Sequence, residues 1–184
     1  MMHSDMLIIR HHIHPMVEQA YIDAQRFHDG QVRRYDKSPY WTHTREVASI
    51  LIRCGIEDPE MLAAAHLHDI YEDTKADAGY IRATYGDAVH TLIDELTERQ
   101  IEGNRAFRKA AEATRLADVS DRAQTIKCAD LISNTADIVQ HDPDFARVYI
   151  LEKAHVLNNS LLRADLVLWA WANRSLLEAE TALA

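Results

Sequence analysis

Little in this sequence suits a β-sheet or a disulfide-stapled scaffold. Cys54 and Cys128 stand far apart with no CxxC partner, which predicts reduced, buried thiols in a cytoplasmic protein. Five glycines and four prolines in 184 residues leave few breakers, and β-branched runs are scarce, so helix is favoured throughout. No apolar run approaches the ~18 residues that a membrane span needs. The N-terminus shows neither a signal-peptide apolar region nor a cleavage site. Basic residues are outnumbered, and a formal charge of −9 disfavours a broad surface for a nucleic-acid polymer. A small phosphorylated ligand needs only a local arginine cluster and is not excluded.

What is present fits one soluble core. Hydrophobic residues make up 47%, ordinary for a globular chain. The length suits a single domain over 1–184 with no internal repeat or linker. The expected architecture is therefore all-α, a single helical bundle. His3, His11, His12 and His14 lie ahead of the first helix signal, in a terminal segment expected to be poorly ordered, and read as solvated side chains.

The informative centre is Ala65-His66-Leu67-His68-Asp69-Ile70-Tyr71-Glu72-Asp73-Thr74. An apolar, alanine-rich segment runs into histidines and carboxylates with no glycine or proline between. On a continuous helix, His68 with Glu72 and Asp69 with Asp73 are i,i+4 pairs. Polarity beside a core costs several kcal/mol unless it is paired or metal-bound. Imidazole with carboxylate is a donor mixture that divalent first-row metals accept. Taken alone, the stretch also fits a solvated acidic helix end.

Two distant segments bear on that choice. A helix from about Trp41 to before Gly55 places His43 on the same face as Val47, Ile50, Leu51 and Cys54. A segment from Ser120 to Gln140 aligns Lys127, Asp130, Asn134 and Asp137 at spacings of three, four and three. Cys128, Leu131 and Ile132 lie opposite. Asp58-Pro59-Glu60 starts the helix that leads into the central motif. Gln31–Tyr40 is a basic loop holding Arg33, Arg34 and Lys37. Arg105–Asp118 reads as an exposed, charged helix, and His90 with Asp94 as a surface pair.

Four ordered segments then coincide: Phe27-His28-Asp29-Gly30-Gln31-Val32-Arg33, Pro39-Tyr40-Trp41-Thr42-His43, His68-Asp69-Ile70-Tyr71-Glu72-Asp73-Thr74 and Lys127-Cys128-Ala129-Asp130-Leu131-Ile132-Ser133-Asn134. Together, over about residues 16 to 160, they resemble the HD-domain superfamily of metal-dependent phosphohydrolases. The likeness is greater to RelA/SpoT-type hydrolase domains and small alarmone hydrolases. The resemblance implies an all-helical HD domain that removes the 3′-pyrophosphate of (p)ppGpp with one Mn²⁺ per chain. It implies His43, His68, Asp69 and Asp130 as metal ligands and Glu72 and Asp73 as the catalytic acidic pair. Arg33, Lys127 and Asn134 are its implied substrate contacts. The implied partner is a small phosphorylated nucleotide, and a homo-oligomer is left open. The glycine usual before Pro39-Tyr40 is missing, Thr44 stands where proline is usual and Leu131 where arginine is usual. The base therefore stays open between guanine and adenine, as does a non-catalytic nucleotide binder on the same fold.

Overall fold

The structure is a computed structural model describing residues 14–184, apart from the side chain of Asp137. The expectations for His3, His11, His12 and the Asp137 side chain lie outside the described residues. Among those residues the regular structure is helical, with one isolated antiparallel bridge between Val32 and Pro39. The chain forms two compact units, the first ending at Thr97 and the second running from Glu98 to Ala184.

The first unit holds α1 (Pro15–Phe27), α2 (Trp41–Arg53), α3 (Pro59–Leu67), α4 (Ile70–Asp73) and α5 (Ala78–Leu96). Its axis is α3, on which α1, α2 and α5 all pack. Asp58 caps α3 by accepting from the Glu60 and Met61 amides at 2.9 and 3.3 Å, with Pro59 in the first turn, as the sequence predicts. Every residue from Met61 to Leu67 is buried. A helix apolar on all sides has to be enclosed by neighbours, and this one delivers its C-terminal residues directly from the core.

The expected continuous helix is interrupted there. Leu67 ends α3, Asp69 adopts φ −98°, ψ −1°, and α4 is a single turn closed by extended Thr74. Asp69 thus sits near the bridge region of backbone space. The Asp73 amide still donates to the Asp69 carbonyl at 3.0 Å, so the carboxylates stay on one local turn. Further on, α5 is two helical stretches joined by a kink at Gly86, whose φ of 86° favours glycine. His90 is hydrogen-bonded through Nδ1 to the Tyr71 hydroxyl at 2.8 Å, which ties α5 to α4.

The second unit contains α6 (Arg105–Asp118), α7 (Asp121–His141), α8 (Pro143–Asn159) and α9 (Leu166–Ala182). Helix α7 packs on α8 and α9, and α8 also packs on α6. Gln124, fully buried on α7, donates to the Leu116 carbonyl at 3.0 Å and accepts from the Arg163 amide at 2.8 Å. One side chain thereby satisfies backbone groups at two chain turns. Asp130, on the polar face of α7, is buried. Helix α6 is less exposed than its charges suggest: Ala113 and Leu116 are buried, and Glu112 pairs with Arg115 at 2.7 Å. Both cysteines are free thiols, and burial pushes that of Cys128 up to about 12.

Candidate metal centre

The core of the first unit brings three of the expected ligands together. His43 comes from the first turn of α2, and His68 and Asp69 from the break after α3. One ligand atom from each lies within 4.8 Å of the others. Asp69 Oδ2 is 3.0 Å from His68 Nε2 and 3.7 Å from His43 Nε2. The two imidazoles stand 5.2 Å apart, edge to face, and both are buried. The break explains this convergence. An unbroken helix would carry Asp69 about 100° around the axis from His68, whereas the turn lets both side chains point at one locus.

Each donor is held from behind. His68 Nδ1 donates to the Ala65 carbonyl at 2.9 Å, which turns Nε2 toward the cluster. The Tyr40 hydroxyl donates to Asp69 Oδ2 at 2.7 Å, and the Tyr40 ring packs on His43 at 5.7 Å. Tyr40 is itself placed by the loop before α2. Its amide donates to the Gln31 carbonyl at 2.9 Å, and the Arg33 amide to the Ser38 carbonyl at 2.8 Å. Buried His28 stacks against Tyr40 at 4.8 Å and is hydrogen-bonded to Gln31 Oε1 at 2.8 Å. Gln31 in turn donates to the Asp73 carbonyl at 2.7 Å. His28, Gln31 and Tyr40 all lie in the quoted motifs, yet no role was expected of them. Their signal was position alone: they are the polar members of those motifs that do not ligate.

Neutral imidazole nitrogens beside a carboxylate, oriented by a carbonyl and a phenol, are a donor set that fits a divalent first-row cation. Burial raises the Asp73 carboxyl above its usual range, and the Asp69 charge raises it further, against the Tyr40 hydroxyl. Glu72 is exposed on α4, and Asp73, though exposed as a residue, has a partly desolvated carboxyl.

The other expected residues are also placed. Arg33 Nη1 meets Glu46 Oε2 at 3.1 Å, which holds its guanidinium along α2. In the second unit, Asp130 accepts from Lys127 Nζ at 2.8 Å and from Asn134 Nδ2 at 2.6 Å. Lys127, Asp130 and Asn134 therefore form one bonded cluster on α7. Thr44 and Leu131, two of the departures from the family pattern, are both buried.

Comparisons with known proteins agree with this construction. A family model described as "HD domain" matches residues 20–154. GTP pyrophosphokinase of Streptomyces coelicolor is 36% identical over 124 residues, covering 64% of this chain and 14% of that protein. Guanosine-3′,5′-bis(diphosphate) 3′-pyrophosphohydrolase MESH1 of Drosophila melanogaster is 35% identical over 121 residues, covering 64% of this chain and 66% of that protein. This chain thus spans less than two thirds of the length of both relatives. A solved structure of a metazoan ortholog of SpoT, described as hydrolyzing ppGpp and playing a role in starvation responses, superposes with a TM-score of 0.81. It is 26% identical, and the match covers 89% of this chain and 95% of that one. The ordered motifs, the buried histidine–aspartate cluster and the family match lead to one assignment: the chain belongs to the HD-domain family.

Proposed function

We propose that this protein is a metal-dependent phosphohydrolase that removes the 3′-pyrophosphate of a (p)ppGpp-type alarmone. The observation that carries the reading is the convergence of His43, His68 and Asp69 beside exposed Glu72 and Asp73. It occurs in a chain similar to a named 3′-pyrophosphohydrolase and to a solved ppGpp hydrolase. The likeness to GTP pyrophosphokinase covers too little of that protein to carry its activity here. The family match runs across both compact units, which supports one HD-type domain over 1–184.

In this reading His43, His68, Asp69 and Asp130 hold one Mn²⁺. The bound ion would acidify a water and offset phosphoryl charge. Tyr40 fixes Asp69 Oδ2, and the Ala65 carbonyl fixes the His68 tautomer, so the donors need little reorganisation. Glu72 takes the proton of the attacking water. The water oxygen joins the phosphorus nearest the ribose, and the bond from that phosphorus to the ribose 3′ oxygen breaks. Asp73, whose carboxyl is pushed up by burial, suits the donor of the proton that the leaving oxygen takes. Pyrophosphate departs. Arg33, Lys127 and Asn134 hold the anionic substrate. Two free thiols, and no helix among the described residues long and apolar enough to cross a membrane, support a cytoplasmic setting.

Burial of Thr44 and Leu131 favours guanine as the base, because these departures fill core rather than a ligand-facing surface. The test is direct. Protein loaded with Mn²⁺ is incubated with ppGpp, ppApp and simple nucleotides, and pyrophosphate and orthophosphate are measured. Pyrophosphate release from ppGpp is expected. Release from ppApp alone would move the assignment to adenine, and no release from any substrate would leave a binding protein.

A further inference from the structure

The second unit carries a cavity of about 360 Å³ whose lining includes apolar Leu116 and Val156, the ammonium-bearing Lys109, Lys127 and Lys153, and Glu98, Glu112 and Glu152. That volume lies within the range of small-ligand sites, roughly 300–1,000 Å³.

The carboxylates nearby are already engaged. Glu98 accepts from Lys109 at 2.8 and 2.9 Å, Glu152 from Arg105 at 2.8 Å through both oxygens, and Glu112 from Arg115 at 2.7 Å. Asp130 accepts from Lys127. Lys153 is the exception: no carboxylate among the described residues reaches its ammonium, whose contact is the Tyr149 ring at 5.4 Å. Its surroundings penalise the charge. Burial pushes Lys153 down to about 8, Lys127 and Lys109 push the same way, and Asp130 and Glu98 oppose them. A solvated lysine on an amphipathic helix would show neither feature, because it would extend its ammonium into water. A half-buried ammonium that no carboxylate reaches, in a hollow lined by two more ammonium groups, is a place that an anion suits.

We propose that this cavity is a phosphate subsite that holds a diphosphate group between Lys153, Lys127 and Lys109. The proposal rests on the function above only for the ligand's identity, a nucleotide that carries a diphosphate. Ammonium groups suit this role because each offers three donors and one carboxylate does not exhaust them. The apolar part of the lining lowers the local dielectric, so the ammonium–phosphate attraction is less screened than in water.

The test uses the full chain stripped of metal by chelation, with inorganic pyrophosphate titrated in a calorimeter. Wild type is expected to bind in a saturable manner. Lys153→Met should weaken binding about tenfold or more, while Arg174→Met, an equal charge change on an exposed part of α9, should leave it unchanged. A second readout needs no variant: acetylation of Lys153 in wild type, followed by mass spectrometry, should slow when pyrophosphate is present. No saturable binding, equal affinity of Lys153→Met and wild type, or acetylation of Lys153 indifferent to pyrophosphate would each overturn the subsite. The hydrolysis assay stands apart from it. Pyrophosphate protection of Lys153 without ppGpp hydrolysis would sink the proposed function and keep the subsite. Hydrolysis with Lys153 unprotected would do the reverse.

Discussion

In the first unit, two imidazoles and a carboxylate gather around a point where a cation fits. In the second, three lysines gather around a hollow where an anion fits. Both clusters oppose the tendency of charge to stay in water, and they resolve the conflict differently. The His43–His68–Asp69 cluster is satisfied from behind, by the Ala65 carbonyl and the Tyr40 hydroxyl, so its donors are preset. The lysine cavity is satisfied only in part, with Lys109 and Lys127 paired and Lys153 not. A preset donor set suits a tightly held ion, whereas an incompletely neutralised cavity suits a ligand that must leave after each turnover.

Removing a donor should have the largest effect. His68→Ala and Asp69→Ala are expected to abolish both metal uptake, read by elemental analysis, and hydrolysis. Asp130→Ala sharpens the comparison because Asp130 belongs to the second unit and is already bonded to Lys127 and Asn134. Loss of metal in that variant would bind the two clusters into one site. Undiminished metal content would confine the ligands to the first unit.

The acidic pair comes next. Glu72→Gln and Asp73→Asn keep size and shape, so metal content should hold while kcat falls by on the order of 10²-fold or more. Wild-type turnover in both would remove the acid–base roles. Loss of metal in either would make that residue a ligand instead.

The contrast between the clusters also sets how much of each was legible in the sequence. The metal cluster lies in short ordered motifs, and residue type and order were enough to find His43, His68 and Asp69. The break between α3 and α4 was not legible, because an alanine- and leucine-rich run without glycine or proline reads as uninterrupted helix. Its cause is tertiary, since the Tyr40 hydroxyl and Gln31 hold the segment from outside. Within α5, Gly86 leaves helical geometry and divides the element into two stretches. The lysine cavity left no motif. Lys109, Lys127 and Lys153 come from three helices at unrelated spacings, and Lys153 sits on a long helix that reads as ordinary packing. Burial of an unpaired ammonium is a property of the assembled unit and has no local pattern.

The smallest expected effect is on stability, and it separates a buried Lys153 from a solvated one. The Lys153 ammonium lies at about 8 in the folded chain against an ordinary value of 10.5. Below pH 8 both folded and unfolded chains carry the charge, and the folded chain bears the full cost of burying it. Between pH 8 and 10.5 the folded chain sheds a proton that the unfolded chain retains, so this group makes stability rise with pH. Above 10.5 both are neutral and its contribution is flat. Lys153→Met removes the charge and lays a flexible apolar chain against the cavity floor. It should therefore stabilise the protein at pH 7 by up to about 3 kcal/mol, a Tm rise of several degrees. That gain should shrink as the pH is raised through 8 toward 10.5, because wild type then escapes the same cost by deprotonating. Denaturant melts of both proteins at pH 7 and pH 10 give the comparison, and only the difference between them is read, since other groups titrate in the same range. Saturating pyrophosphate at pH 7 should close the gap from the other side by stabilising wild type more than the variant. A gain that is absent at pH 7, or as large at pH 10, would make Lys153 an ordinary solvated lysine and leave its cavity without a claim on anions.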